Sequence, residues 1–193
     1  MIDLLDLQKH FILTHLHEGD IAVDFTMGNG HDTEFLSKTV GESGHVFAFD
    51  VQEQALASTS EHLKAVGCPD NYTLILDSHH NVKKYVDVPI KAGMFNLGYL
   101  PGGDKSITTM RETTLPAIRA AIELLDMDGI LLIAVYPGHA EGEEEGKMIT
   151  EYLSTLSRYQ MCCTQIRILN SPTSPFFMLV ETRDKPMKEK YLK

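Results

Sequence analysis

Residues 22–33 read Ala22-Val23-Asp24-Phe25-Thr26-Met27-Gly28-Asn29-Gly30-His31-Asp32-Thr33. The apolar run from Ile21 to Phe25, broken by one acid, is typical of a short buried strand. The glycines behind it allow a tight turn, and polar residues then open a helix. Such a junction offers unpaired backbone N–H groups and the positive end of a helix dipole. The stretch therefore predicts a binding site for a ligand that carries oxygen atoms.

A second acid indicates what that ligand contains. Another apolar strand runs from His45 to Phe49 and is followed by Asp50. An acid about 20 residues past a glycine loop is placed to accept hydrogen bonds from a ribose diol. The loop and Asp50 together predict a site for an adenosine-containing cofactor.

Two adenosine-containing cofactors fit this prediction, a nicotinamide dinucleotide and S-adenosylmethionine. The residues in and before the loop distinguish between them. The nicotinamide fingerprint is G-x-G-x-x-G, but Thr33 stands where its third glycine should be. Asp24 is unusual inside a buried strand, because a buried carboxylate is costly without a hydrogen-bond donor. The ammonium of S-adenosylmethionine, or a loop N–H that positions it, would supply one. The alternative is that Asp24 only caps the loop and the glycines only turn the chain.

Length and composition set the broad class. The 193 residues fit a single domain spanning 1–193. The 43% hydrophobic and 23% charged residues are typical of a soluble globular protein, and no apolar run approaches the ~20 residues needed to cross a bilayer. Asp3 and Asp6 occupy the place where a signal peptide has bases. We therefore expect a cytoplasmic location and no membrane partner.

Charge and cysteine content limit the partners. A net charge of −10, from 17 basic and 27 acidic residues, argues against a broad basic face for nucleic acid but allows a local basic patch. Cys68, Cys162 and Cys163 lack metal-ligand spacing, so we expect reduced cysteines and no metal. The oligomeric state stays open, and a homodimer is one of the options.

The rest of the chain alternates helices and strands. Helical spacing covers 4–16, 52–66, a segment ending near 125, and 146–158, the last after a predicted glutamate-rich loop at 141–145. Apolar strands are predicted at 72–76, 92–97, 130–136, 160–169 and 176–183, and the last two are joined by a short turn that suits an antiparallel hairpin.

Polar residues follow three of these strands, where open α/β sheets place ligands. Asp77-Ser78-His79 follows the third strand, and we expect these residues to contact the cofactor, with adenine as the target; alternatively, Ser78 or Asn81 caps a helix. Residues 96–105, which read NLGYLPGGDK, contain three glycines and a proline. This composition predicts an irregular loop that has a functional role. Tyr136-Pro137-Gly138-His139 follows the fifth strand.

The chain resembles the class I S-adenosylmethionine-dependent methyltransferases. Across nearly its whole length it is similar to a small bacterial family labelled ribosomal RNA methylases and associated with methylation of tRNA aminomethyl-2-thiouridine. Residues 24–33, 77–79, 96–105 and 136–139 carry this resemblance. It implies a Rossmann-like α/β sheet of seven strands, mostly parallel with a C-terminal antiparallel hairpin, and helices on both faces. It also implies S-adenosylmethionine as cofactor, no metal, and the anticodon stem-loop of tRNA as substrate.

The positions of the loop and strand ends, together with this resemblance, predict roles for individual residues. The expected cofactor-binding residues are Asp24, Met27, Gly28, Asn29, Gly30, Asp32, Thr33, Asp50, Gln52, Asp77, Ser78 and His79. Lys105 and Tyr136 are expected to bind the substrate. Amine methyltransferases carry Asn or Asp, two prolines and an aromatic residue after the fourth strand; Asn96 and Tyr99 match the ends of that pattern, whereas Leu97 and Gly98 replace the prolines.

The chemistry assigns four catalytic candidates, namely Asn96, Tyr99, Asp104 and His139. The Asn96 carbonyl could accept N–H bonds from an amine, and Asp104 or His139 could take its proton. Alternatively, Asp104 only turns its loop and His139 caps the following helix. Three functions remain open. They are methylation of the wobble-uridine aminomethyl group in tRNA, methylation of ribosomal RNA or a small molecule, and nicotinamide-dependent oxidoreduction or non-catalytic nucleotide binding.

Overall fold

The computed structural model describes residues 4–100, 102, 108–138, 140–171 and 173–183. Within these ranges the strands are β1 (Ile21–Asp24), β2 (His45–Asp50), β3 (Tyr72–Leu76), β4 (Ile90–Leu97), β5 (Leu125–Val135), β6 (Met161–Ile166) and β7 (Phe176–Thr182). The helices are α1 (Leu4–Leu13), α2 (His31–Val40), α3 (Glu53–Ala65), α4 (Arg111–Leu124) and α5 (Ala140–Ser154), and a 3-10 helix spans His79–Lys84.

All seven strands belong to one sheet, in the order β3-β2-β1-β4-β5-β7-β6. Strands β1 to β5 pair in parallel, and β7 is antiparallel to both β5 and β6. This arrangement confirms the predicted fold class, including its C-terminal antiparallel hairpin. Strand β1 pairs with β2 on one side and β4 on the other, so successive connections run in opposite directions from this point. In open α/β sheets, ligands bind at the carboxyl ends of the strands beside such a switch point.

The core lies on both faces of the sheet. Buried residues of α4, α5 and the 3-10 helix pack on one face, and those of α1 and α2 pack on the other. Beneath the switch point, the rings of Phe25 and Phe95 stack with centroids 4.1 Å apart. Gly93 permits this approach, since a Cβ at this position would lie 2.9 Å from Phe25 and 2.7 Å from Leu131. None of the helices in the described ranges has the length and hydrophobicity that crossing a bilayer requires.

The largest difference from the sequence-based expectation lies at the start of α5, whereas β5 begins five residues earlier than predicted, at Leu125, and α1 and β6 each end three residues earlier, at Leu13 and Ile166. The glutamate-rich loop predicted at 141–145 is wrong, because α5 already begins at Ala140. Acidic side chains are favourable in a first helical turn, where they meet the positive end of the helix dipole. Glu141 and Glu143 lie in that turn, and Glu145 is fully buried.

Candidate active site

The glycine loop between β1 and α2 forms the centre of the candidate site. The Met27 N–H donates to the Phe49 carbonyl at 2.9 Å, which fixes the loop to the end of β2. Gly28 and Gly30 have φ values of +52° and +86°, in the left-handed region where a Cβ is strained. At Gly30 a Cβ would also lie 3.0–3.1 Å from Thr59 of α3. Both backbone angle and close approach therefore require glycine at position 30.

Asp50 and α3 hold this loop from the side of β2. The Asp50 carboxylate accepts the Gly28 N–H at 3.2 Å and the Gln52 N–H at 3.0 Å. The Thr59 hydroxyl donates to the Gly28 carbonyl at 3.0 Å. The Ser58 hydroxyl donates to the Asn29 side chain, also at 3.0 Å. Burial raises the pKa of Asp50, and the N–H groups of Gln52 and Gly28 oppose that rise. A carboxylate offers about four acceptor positions, so Asp50 retains capacity for a further donor.

Asp24 lies directly below the loop and is fully buried. Its carboxylate accepts the Thr33 hydroxyl at 2.6 Å and the Thr26 N–H at 3.0 Å. Burial, and next the negative charge of Asp32, raise the pKa of Asp24 to about 7. Thr33 therefore does more than replace a glycine, because its hydroxyl satisfies this buried acid. These contacts match the alternative in which Asp24 braces the loop.

The second acid of the site connects α2 to β4. The Asn96 amide donates from Nδ2 to the carboxylate of Asp32, in the first turn of α2. The Asn96 backbone N–H donates to the Thr26 hydroxyl at 2.7 Å. Burial raises the pKa of Asp32, against the lowering effects of the Lys9 charge and the Asn96 hydrogen bond. The sequence pattern gave no indication of the role of Thr26, which fixes Asn96 from a position 70 residues earlier.

The orientation of the Asn96 amide follows from its partners. A carboxylate only accepts hydrogen bonds, so the NH2 group must face Asp32. The carbonyl oxygen then lies on the opposite side, where it accepts the Tyr136 hydroxyl at 3.4 Å. Tyr136 is 37% exposed and Tyr99 is 41% exposed, so both rings are accessible near the end of β4. The predicted candidates Asp104, Lys105 and His139 lie outside the described residues.

The residues after β3 form a separate hydrogen-bonded turn. The Asp77 carboxylate accepts the Asn81 amide at 2.8 Å, the Tyr85 hydroxyl at 2.8 Å and the Ser78 N–H at 2.7 Å. The bonds from Asn81 and Tyr85 lower the pKa of Asp77. Ser78 is the N-cap residue of the 3-10 helix, but its side chain makes no capping hydrogen bond. Asp77, rather than Ser78, therefore organises this turn.

His79 points from this turn towards the end of β1. Its Nδ1 lies 3.1 Å from the Phe25 carbonyl, and its burial lowers the pKa of the ring to about 4. The ring is therefore neutral at pH 7, with Nδ1–H as donor and a lone pair on Nε2. This buried Nε2 has no hydrogen-bond partner within the described part of the chain. A buried unpaired nitrogen is costly and is consistent with a ligand that is not part of the polypeptide.

One group of side chains in the described ranges has the composition of a metal site. His31 and Glu34 of α2 and His62 of α3 bring one ligand atom each within 4.8 Å of one another. The Glu34 carboxylate already lies 2.6 Å from His62 Nε2 and 2.7 Å from Lys38 Nζ. We interpret the group as a hydrogen-bonded ion-pair cluster that joins α2 to α3. The expectation of no metal stays a prediction.

Comparison with known proteins gives a consistent picture. The model of a family described as "Putative rRNA methylase" matches residues 46–181. The chain is 37% identical over 179 residues to the chloroplastic tRNA (mnm(5)s(2)U34)-methyltransferase of Arabidopsis thaliana, a match that covers 88% of this chain. The chain spans only 65% of the length of that curated relative.

Two solved structures are similar over nearly their whole length. A protein from Clostridium thermocellum with the same description as the family is 40% identical, with a TM-score of 0.91, and the match covers 94% of this chain and 98% of that one. A "putative methyltransferase" from Streptococcus mutans, solved with S-adenosylhomocysteine, is 39% identical with a TM-score of 0.86. That match covers 94% of this chain and 99% of the other.

Proposed function

Because the chain belongs to the rRNA methylase family, we propose that it methylates RNA, and specifically the aminomethyl group of the wobble thiouridine in tRNA. S-adenosylmethionine is its cofactor, which agrees with the S-adenosylhomocysteine in the similar Streptococcus mutans structure. The choice of tRNA is supported by the name of the Arabidopsis thaliana relative. The choice of an amine as acceptor is supported by the geometry around Asn96.

The residues at the switch point fit this cofactor. S-adenosylmethionine carries a positive ammonium and a positive sulfonium, and the buried Asp24 and half-buried Asp32 make this end of the site favourable for cations. Asp50 stands where a ribose diol is bound in related α/β sheets. When bound, the cofactor supplies an electrophilic methyl group.

The orientation of the Asn96 amide is the observation that carries the choice of an amine substrate. With Nδ2 held by Asp32, the carbonyl oxygen accepts the Tyr136 hydroxyl at 3.4 Å and keeps a second lone pair, which can accept an N–H bond from an incoming amine. Such a bond directs the nitrogen lone pair, and correct orientation can contribute up to roughly 7–11 kcal/mol in ideal cases. The methylated amine must then lose one proton, which solvent can accept.

The accessible aromatic rings suit a base next to that amine. Tyr99 follows Asn96 by three residues, and the Tyr136 hydroxyl reaches the Asn96 carbonyl. Stacking of a nucleobase on an aromatic side chain contributes about 1–3 kcal/mol and does not need a basic surface. This mode of binding is compatible with the net charge of −10.

Nucleoside mass spectrometry of tRNA from a deletion strain tests the proposed substrate. We expect the unmethylated aminomethyl-2-thiouridine nucleoside to accumulate and the methylated one to disappear. Expression of the wild-type gene should restore the methylated nucleoside, whereas expression of Asn96→Ala should not. An unchanged tRNA profile together with a missing methyl group in ribosomal RNA would assign the chain to the alternative substrate.

The raised pKa of Asp24 predicts how cofactor affinity changes with pH. Binding of a cation favours the ionised acid, so affinity should rise from pH 5.5 to about 7 and become flat above it, with a slope of up to roughly tenfold per pH unit. The same raised pKa means that the cofactor-free protein is most stable when Asp24 is protonated and loses stability as the pH rises through about 7.

Calorimetric titration with S-adenosylmethionine from pH 5.5 to 8.5, with parallel thermal melts, measures both effects. Asp24→Asn should reduce the change in both profiles between pH 5.5 and 7, because Asp24 no longer titrates. Asp87→Asn is the matched control, since Asp87 is exposed and should leave both profiles unchanged. A cofactor affinity that does not vary across this range would contradict the role given to Asp24.

A further inference from the structure

Glu145 is a buried acid for which the proposed chemistry has no use. It lies in α5 with 0% of its surface exposed. Its carboxyl group accepts the Thr114 hydroxyl at 2.6 Å and the Thr109 hydroxyl at 2.9 Å. Burying a carboxyl group is costly, and a well-packed apolar residue often stabilises a core as well or better. The buried Glu145 is therefore better explained by a role in fixing a specific geometry than by a contribution to stability.

The two threonines connect Glu145 to the end of β4. The Thr109 N–H donates to the Gly98 carbonyl at 3.0 Å. Tyr99 pairs with Thr108 in an antiparallel bridge. Thr114 is fully buried in the first turns of α4, and its N–H donates to the Met110 carbonyl at 2.9 Å. Glu145 thus joins α5, the start of α4 and the backbone next to Tyr99.

We propose that Glu145 is a positioning residue, which through Thr109 fixes the Gly98-Tyr99 backbone and so holds the Tyr99 ring for the nucleobase of the substrate. The identity of that substrate rests on the function proposed above. The cofactor contacts come from the glycine loop, Asp50 and the turn after β3, none of which touches Glu145 through the bonds described. Loss of the Glu145 contacts should therefore impair use of the RNA and leave cofactor affinity intact.

Steady-state kinetics on three variants test this assignment. Glu145→Gln exchanges one acceptor oxygen for an NH2 group, and Thr109→Val removes one hydroxyl at almost constant volume. We expect each to lower kcat/KM for tRNA at least about tenfold, while the dissociation constant of S-adenosylmethionine stays within about twofold. The double variant should be no worse than the worse single variant, because both act through one contact. Glu144→Gln is the control, since Glu144 is the exposed neighbour on the same helix and pairs with Lys147.

Amide hydrogen exchange gives a readout that needs no RNA. In Glu145→Gln, the Thr109 amide should exchange at least about fivefold faster, whereas amides of β5 keep wild-type protection. Unchanged Thr109 exchange, or an equal loss of protection in β5, would overturn the positioning role. Wild-type kcat/KM in Glu145→Gln, or an equal loss of cofactor affinity, would overturn it as well. Failure of the wild-type protein to methylate tRNA would contradict the proposed function but would not alter the exchange result.

Discussion

Asn96→Ala is expected to slow single-turnover methylation by at least about 100-fold while changing the affinity for S-adenosylmethionine less than about threefold. The variant loses the carbonyl that is left to accept the amine N–H once Nδ2 is bonded to Asp32. That hydrogen bond acts on the geometry of transfer, so its loss should appear in the chemical step rather than in binding. Rapid mixing of the enzyme–cofactor complex with tRNA, followed by quenching, measures this step directly.

Two Tyr99 variants and a control variant at Asn170 distinguish an effect on the methyl-transfer step from an effect on folding. Tyr99→Phe should be mild and Tyr99→Ala severe, because stacking uses the ring and not the hydroxyl. Asn170→Ala changes an exposed asparagine in a distant turn and should leave the rate and the melting temperature unchanged. Asn96→Ala and Tyr99→Ala could instead lower the melting temperature while the folded fraction keeps a normal single-turnover rate. That result would give the end of β4 a structural role only.

Asp50→Ala should weaken S-adenosylmethionine binding by about 1.5–3 kcal/mol, or roughly 10- to 150-fold. The carboxylate is the acceptor expected to bind the ribose hydroxyls, and a charge-assisted hydrogen bond is stronger than a neutral one. Part of the loss will come from the loop, since Asp50 also accepts the N–H groups of Gly28 and Gln52. The fold should survive, because Asp50 ends a strand and does not fill the core.

Calorimetry measures the affinity of Asp50→Ala for S-adenosylmethionine, and two further titrations serve as comparisons. Asp50→Asn keeps one acceptor oxygen and should fall between wild type and Asp50→Ala. NAD should not bind to the wild-type protein, because Thr33 fills the place of the third glycine and is tied to Asp24. Wild-type affinity for S-adenosylmethionine in folded Asp50→Ala would show that the acid of β2 does not hold the cofactor.

Local patterns made the core of the fold predictable. The strand–loop–helix at β1 depends on glycines and an apolar run that are adjacent in sequence, and the positions of β2 and β3 follow from similarly short apolar runs. The first turns of α5 were not predictable in this way. The composition of 141–145, with four glutamates, favours a solvated loop. The hydroxyls that donate to the buried Glu145 carboxyl group come from Thr109 and Thr114, more than 30 residues away.

In the candidate site, too, features encoded by local sequence were predictable and contacts between distant residues were not. Glycine and acid spacing predicted the loop and the acid Asp50 that bonds to it, since a ribose-binding acid is expected at a regular distance from such a loop. The bond between Asp32 and Asn96 joins residues 64 apart, and the Thr26 hydroxyl meets the Asn96 N–H across two neighbouring strands. Sheet order creates these contacts, and no local spacing encodes them. The orientation of the Asn96 amide therefore became visible only in three dimensions.

In vitro methyl transfer tests the proposed tRNA substrate most directly. The purified protein is incubated with methyl-labelled S-adenosylmethionine and tRNA from the deletion strain, and the digested nucleosides are separated. We expect label in the wobble aminomethyl-2-thiouridine nucleoside with the wild-type protein and none with Asn96→Ala. Label absent from tRNA but present in ribosomal RNA added to the same reaction would contradict the account.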